Sequence, residues 1–224
     1  MKWLVLLCLA LAGCGSEVPE LPVDAGASVD AIPPALRFLP LAPGATWTWQ
    51  VTPGMGARFD KTTTVEGTDV VRGAPAFRLR TSGDGTDTLS WQDDTGSAVR
   101  RLREQSLDAS GGVRDDTSYE PYKLRLDESN QRLVVGASYT ETYVEASTDS
   151  TGAVTRRTKS EVWTVEAIDE AVGVPAGSFT CLRVRRVGAD AGGSDKRFWF
   201  ARGVGKIKES GGQTEELKSY SLGP

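Results

Sequence analysis

The chain has 224 residues, with 26 Lys and Arg against 30 Asp and Glu for a net charge of −4, and it is 39% apolar and 25% charged. That balance excludes a disordered or fibrous chain as the whole answer, and the mild acidity argues against a nucleic-acid partner. His is absent altogether, which excludes the Ser–His and Cys–His nucleophile pairs and histidine-based metal sites.

In chain order, Met1-Lys2 supplies a short positive start, and Trp3 to Ala12 is an apolar run of ten residues. Ten residues are too few to span about 30 Å of hydrocarbon, so residues 1–13 read as a secretion signal. The run ends in Leu11-Ala12-Gly13-Cys14, which resembles the lipobox of bacterial lipoproteins. The resemblance implies that Cys14 is lipidated, with palmitate-type acyl chains, and becomes the new N-terminus. Each buried CH₂ adds about 0.8 kcal/mol, so two or three chains anchor the protein without a membrane span. Gly15-Ser16 follow the cysteine, and by similarity to enterobacterial sorting signals the lack of Asp there implies the outer membrane. Cys8 leaves with the signal, so Cys181 is the one thiol left in the mature domain, read as buried and inert within Phe179-Thr180-Cys181-Leu182.

Residues 14–35 form the lipidated cysteine and a tether. Pro19, Pro22, Pro33 and Pro34 and the lack of any aromatic residue between Glu17 and Ala35 leave too little apolar surface to offset the entropy of ordering. About 20 such residues span on the order of 25 Å. Residues 36–224 then form one domain in which aromatic and β-branched runs alternate with Gly, Asp, Ser and Thr clusters, the pattern of successive hairpins. Thr46-Trp47-Thr48-Trp49-Gln50-Val51 alternates strictly, placing Trp47, Trp49 and Val51 on one core-facing side.

Further strands are expected at Lys61 to Val71, Ala76 to Thr81, Thr86 to Gln92, Ala98 to Glu104, Tyr122 to Leu126 and Ser138 to Ala146. Val154 to Ile168, Phe179 to Val187, Lys196 to Phe200, Lys206 to Glu209 and Thr214 to Tyr220 complete the set. Ser97 to Leu107 would also suit a helix, but turn signals bracket it and a strand is the reading. The fold expectation is mainly β: a single large curved antiparallel sheet or open half-barrel, with few or no helices. A transmembrane barrel is excluded, because Thr155-Arg156-Arg157-Thr158-Lys159-Ser160-Glu161 cannot face lipid.

The chemistry-bearing motifs are few. Gly203-Val204-Gly205-Lys206 lacks the glycine spacing and the following Ser or Thr of a phosphate loop, and reads as a bend. Asp84 with Asp87 and Asp93 with Asp94 offer too few oxygens for Ca²⁺ and read as turn chemistry. Arg100-Arg101, Arg156-Arg157 and Arg185-Arg186 read as solvated edge charges, with the sharper alternative that one member of each pair faces a concave surface and meets an anion such as a lipid headgroup or polysaccharide. Glu141 with Glu145 and Glu161 with Glu166 are the remaining acid/base candidates, a pattern that thirty acidic residues produce by chance.

The C-terminal third carries a resemblance. Val174-Pro175-Ala176-Gly177-Ser178-Phe179 and Phe198-Trp199-Phe200-Ala201-Arg202-Gly203-Val204-Gly205 resemble a family of secreted bacterial β-rich proteins and lipoproteins without an established activity. There a "V-P-A-G-x-F" corner precedes a long strand and a "W-[FY]-A-x-G-[VI]-G" segment closes the sheet. Pro40-Leu41 with Gly44-Ala45-Thr46-Trp47 is similar to the same family's start. The resemblance implies a curved sheet similar in shape to the periplasmic lipoprotein carriers, although those plug their concavity with helices and no long helix is expected here.

The functional expectation is a membrane-anchored envelope lipoprotein acting as a non-catalytic binding or assembly module in the periplasm or at the cell surface. The partners expected are the membrane, through the lipid anchor, and an envelope protein, lipid or glycan. Neither cofactor nor metal is expected. The alternatives are a carrier of a hydrophobic ligand such as an acyl chain, and a carboxylate-dependent hydrolase. Trp47, Trp49, Trp163, Phe198 and Phe200 are the candidate ligand-lining residues, and a concavity of several hundred Å³ would separate a binding site from a filled core.

Overall fold

A computed structural model describes residues 36–190 and 192–223. The Cys14 lipidation site, the signal and the tether lie outside the described residues. Twelve strands follow one another: β1 (Thr46–Pro53), β2 (Phe59–Val71), β3 (Ala74–Gly83), β4 (Thr86–Asp94), β5 (Ala98–Leu107) and β6 (Val113–Asp127), then β7 (Ser138–Asp149), β8 (Val154–Val174), β9 (Gly177–Gly188), β10 (Asp195–Ala201), β11 (Gly205–Ser210) and β12 (Gln213–Ser221). Each expected strand is present, including β5, and the described residues contain no α-helix. β6 begins nine residues earlier than expected, at Val113 rather than Tyr122. Its first half, Arg114-Asp115-Asp116-Thr117-Ser118, pairs with β5 and β7 but is polar on both faces, so it carries no alternation to read.

The expected open sheet or half-barrel is corrected: the sheet closes into a barrel, each strand antiparallel to its chain neighbours and β1 bonded to β12. Trp47 lies opposite Tyr220, Trp49 opposite Leu217 and Val51 opposite Glu215. Closure gives partners to the backbone groups of the first and last strands, which an open sheet would leave as edges. A closing strand and an inner strand have the same period-2 pattern, so closure has no local signature.

Strand direction defines two ends. At the end where β1 starts, the segment Leu36 to Ala45 enters and covers the barrel. Phe38 is buried with Leu124, Leu126, Trp163, Leu182, Phe198 and Phe200. Glu128, fully buried, holds this segment in place: its carboxylate accepts from the Phe38 amide at 2.7 Å, the Leu39 amide at 3.2 Å and Arg37 Nε at 3.2 Å. Arg37 Nη1 also donates to Asp94 at 2.7 Å. The other end, framed by the β1–β2, β3–β4 and β11–β12 turns, is the mouth.

β8 is bent by irregularities between Val165 and Ala167 and between Ala167 and Glu170. Beyond them the tip of the β8–β9 hairpin reaches β12, where the Ala176 amide donates to the Leu217 carbonyl at 2.9 Å. Beside it a second apolar cluster includes Cys181, Ala201, Ile207 and Leu217. Cys181 is buried and its thiol is pushed up to about 11, first by burial and then by Glu170. Trp199 and Phe179 are only half-buried: Trp199 lies on the other face of β10 from Phe198 and Phe200, and Phe179 packs edge-on against Tyr220. The outer wall is ion-paired from strand to strand, as in Arg80 with Glu66 and Asp87, or Arg183 with Glu166 and Glu170. A wall charged in this way faces water, since a lipid-facing band must be apolar.

Candidate functional site

The barrel is not filled. A cavity of about 470 Å³ runs from the mouth, at Phe59, Gly83, Asp84 and Thr86, down to Leu39, Leu41, Trp47 and Phe200 near the covered end. It lies within the range of roughly 300–1,000 Å³ typical of small-molecule sites. It forms because β2, β3 and β4 turn small polar side chains inward, among them Thr63, Thr81, Thr86, Thr88 and Ser90.

One wall holds a charge network. Lys206 Nζ donates to Glu209 Oε2 and Glu215 Oε2, each at 2.6 Å, Lys196 Nζ donates to Glu209 Oε1 at 2.6 Å, and Lys61 pairs with Glu215. Burial works against the charge on Lys206, but Glu209 and Glu215 prevail and hold its pKa above the ordinary value. Burial likewise opposes ionisation of Glu209 and Glu215, and both still lie below the usual carboxylate range, with Lys206 the strongest attraction for each. Lys61 goes the other way: burial and the nearby Lys206 lower it despite Glu215. Trp47 and Trp49 are pinned beside this network, their indole N–H groups donating to the Val204 carbonyl at 2.6 Å and the Lys206 carbonyl at 3.1 Å.

The facing wall presents Ser90, Gln92, Arg101 and Arg125. Gln92 Nε2 donates to Ser90 Oγ at 3.1 Å, and Arg101 pairs with Glu104. Arg125 is there because of a bulge. Val99 is opposite Leu126 and Arg100 opposite Leu124, so Arg125 is an extra residue in β6, and bulges re-aim side chains in this way.

Of the five aromatic candidates, Trp47, Trp49 and Phe200 line the cavity. Trp163 and Phe198 instead stack at 6.0 Å within the buried cluster around Phe38. Lys61, Arg125, Glu209 and Glu215 were not among the expected site residues. Leu124-Arg125-Leu126 reads as an outward Arg between inward leucines, and a buried lysine looks in sequence like any exposed one.

The carboxylate candidates are separated from this space. Glu141 and Glu161 are cross-strand neighbours, and neither lines the cavity. Glu141 accepts from the Leu124 amide and from Trp163 Nε1 at 3.2 Å. Burial, aided by Glu161, pushes the Glu141 carboxyl up to about 7. Glu161 accepts from the Tyr143 hydroxyl at 3.3 Å and lies 3.7 Å from Lys123 and 3.6 Å from Arg186. Glu166 does not join Glu161 but accepts from Arg197 Nε at 3.0 Å and forms an ion pair with Arg183 at 3.0 Å.

Asp87, Asp93 and Asp94 are held by Arg80, Arg100 and Arg37. Among the described residues no three His, Cys, Asp or Glu side chains come together as a metal site. Of the arginine pairs, Arg156 and Arg157 are both exposed, while Arg101 lines the cavity and Arg186 is buried outside it, so one member of two of the three pairs is not a solvated edge charge.

No protein-family profile matches the sequence, and no curated protein matches it. Two solved structures are similar at low identity. A protein of Bacteroides fragilis described as exported, with a YMCC-like fold, gives a TM-score of 0.47 at 11% identity, covering 82% of this chain and 98% of its own. A protein of Parabacteroides distasonis described as a lipoprotein gives 0.41 at 10% identity, with the same coverage of 82% and 98%.

Proposed function

We propose that this chain is a lipid-anchored protein of the bacterial envelope, held through Cys14, and that it acts as a non-catalytic binding module for a small molecule carried inside the barrel. The observation that supports this reading is the cavity of about 470 Å³ that the barrel's own side chains leave open. Its entrance lies at the opposite end of the barrel from Leu36. The lining favours a compact amphiphile over a long acyl chain, because threonines rather than leucines surround the upper half. An enzyme is disfavoured because the carboxylate with the raised pKa, Glu141, is only 8% exposed and has no access to the cavity.

Native mass spectrometry of the full-length protein purified from bacterial membranes tests both parts. The expected spectrum shows an acylated N-terminus at Cys14 and a non-covalent adduct of a few hundred daltons that organic extraction removes. An unmodified N-terminus elsewhere overturns the anchor. An empty barrel that also binds no small probe overturns the binding reading and leaves an assembly role.

A further inference from the structure

The chain as a whole is acidic, at −4, yet its cavity is not. The lining contains five cations, Lys61, Arg101, Arg125, Lys196 and Lys206, against three carboxylates, Asp84, Glu209 and Glu215, an excess of 5 − 3 = 2 positive charges. The three lysines share Glu209 and Glu215, and Arg101 has Glu104. Arg125 has no carboxylate within ion-pair distance among the described residues. The buried Nε atoms of Arg101, Arg125 and Arg186, on three different strands, all lack a hydrogen-bond partner. A buried guanidinium without a counter-charge is costly, and natural interiors pair such groups or bind something to them. Burial first, then the neighbouring charges of Arg101 and Arg186, lowers Arg125 to about 10.

Resting on the small-molecule reading above, we infer that the ligand carries a compact anion, a carboxylate or a phosphate monoester, on a small apolar body, and that Arg125 with Arg101 receives the anion. A planar guanidinium donates to two oxygens of either group at once. Gln92 and Ser90 on the adjoining strand add neutral polar contacts. Leu79, Trp49 and Phe200 supply the apolar surface for the rest of the molecule. In the Lys61–Lys196–Lys206–Glu209–Glu215 network each lysine already has a carboxylate partner, and it serves as a polar wall, not as the receptor.

The test is isothermal titration of the full-length acylated protein in nanodiscs, with empty nanodiscs subtracted, using 2-naphthoate, 2-naphthyl phosphate and the uncharged 2-naphthamide. At least one of the two anions is expected to bind tenfold or more tighter than the amide. Whichever does so identifies the headgroup as carboxylate or phosphate. Arg125→Met should bring the anions to the level of the amide measured on the same variant. Equal affinities for all three probes, or an Arg125→Met variant that keeps the anion preference, overturn the inference while the cavity reading stands. No heat from any probe, on protein that also carries no co-purified molecule, overturns the cavity reading itself. Should Arg125→Met fail to fold, Arg101→Met replaces it, and an anion-to-amide ratio below twofold in the unmodified protein is by itself sufficient to reject the anion site.

Discussion

Two walls of one barrel, built from the same alternating pattern, differ in what they turn inward. On β8, β9 and β10 the inward positions are Trp163, Val165, Leu182, Val184 and Phe198, and with Phe38 they close into a filled core, with Phe200 at its border with the cavity. On β2, β3 and β4 they include Thr63, Thr81, Gly83, Thr86, Thr88 and Ser90, and a cavity remains. Both sides are paired strand to strand, so the hydrogen-bond ladder does not decide which half is solid. Side-chain volume does, because a closed β framework relaxes only partly to fill missing volume. The comparison teaches that a packed core and an open cavity are divided between opposite walls of a single domain.

The largest expected effect comes from cutting into the solid wall. Phe198, 4% exposed and stacked between Trp163 and Phe200, should cost about 4 kcal/mol as Phe198→Ala. Thr88→Val, on the cavity wall, should cost under about 1 kcal/mol, since it empties no packed space. Urea denaturation with an unchanged slope measures both. Similar losses at the two positions would break the distinction between the walls.

Next in size is the latch that covers the filled end. Glu128→Ala removes the acceptor of three hydrogen bonds and leaves Arg37 with Asp94 alone, at an expected cost of about 3 kcal/mol. A shift of the urea midpoint worth less than about 1 kcal/mol would mean that the entering segment contributes little to the core.

The third effect depends on pH and is the smallest per pH unit; it sharpens the boundary between the walls, where Glu141 bonds the Leu124 amide. Its carboxyl is raised from 4.5 to about 7, above its value in the unfolded chain. Between those pH values the folded state holds a proton that the unfolded chain has released. The stability from this group is therefore full below about pH 4.5 and falls as pH rises to about 7, with a slope no steeper than about 1.4 kcal/mol per pH unit for one proton. Glu141→Gln should flatten that part of the stability–pH curve. An unchanged slope would assign the decline to another group.

Much of the fold was legible because it is written with period two. Thr46 to Val51 places Trp47 and Trp49 on one side whatever the strand later pairs with, and the Gly- and Asp-rich turns separate each strand from the next. Asp84 and Gly85, at the β3–β4 turn, both have positive φ, at 51° and 73°, the backbone state that Asp and Gly tolerate at little cost. The site was less legible. Trp47, Trp49 and Phe200 were readable as inward aromatics, but nothing in Phe198 distinguishes a residue that fills space from one that borders it. Arg125 was hidden by the bulge, which depends on how β5 and β6 are matched in length and leaves no trace in Leu124-Arg125-Leu126.

By itself the sequence determined the number and order of the strands, the face on which each aromatic falls, and the exclusion of histidine chemistry, because these follow from residue identity and short-range alternation. Only the tertiary structure decided that β1 meets β12, that Arg101 and Arg125 face Lys206 and Glu209 across a common space, and that this space stays open. Closure, bulge placement and free volume depend on sums over residues as far apart as Trp47 and Tyr220, or Lys61 and Glu215, and a local pattern carries no information about such sums.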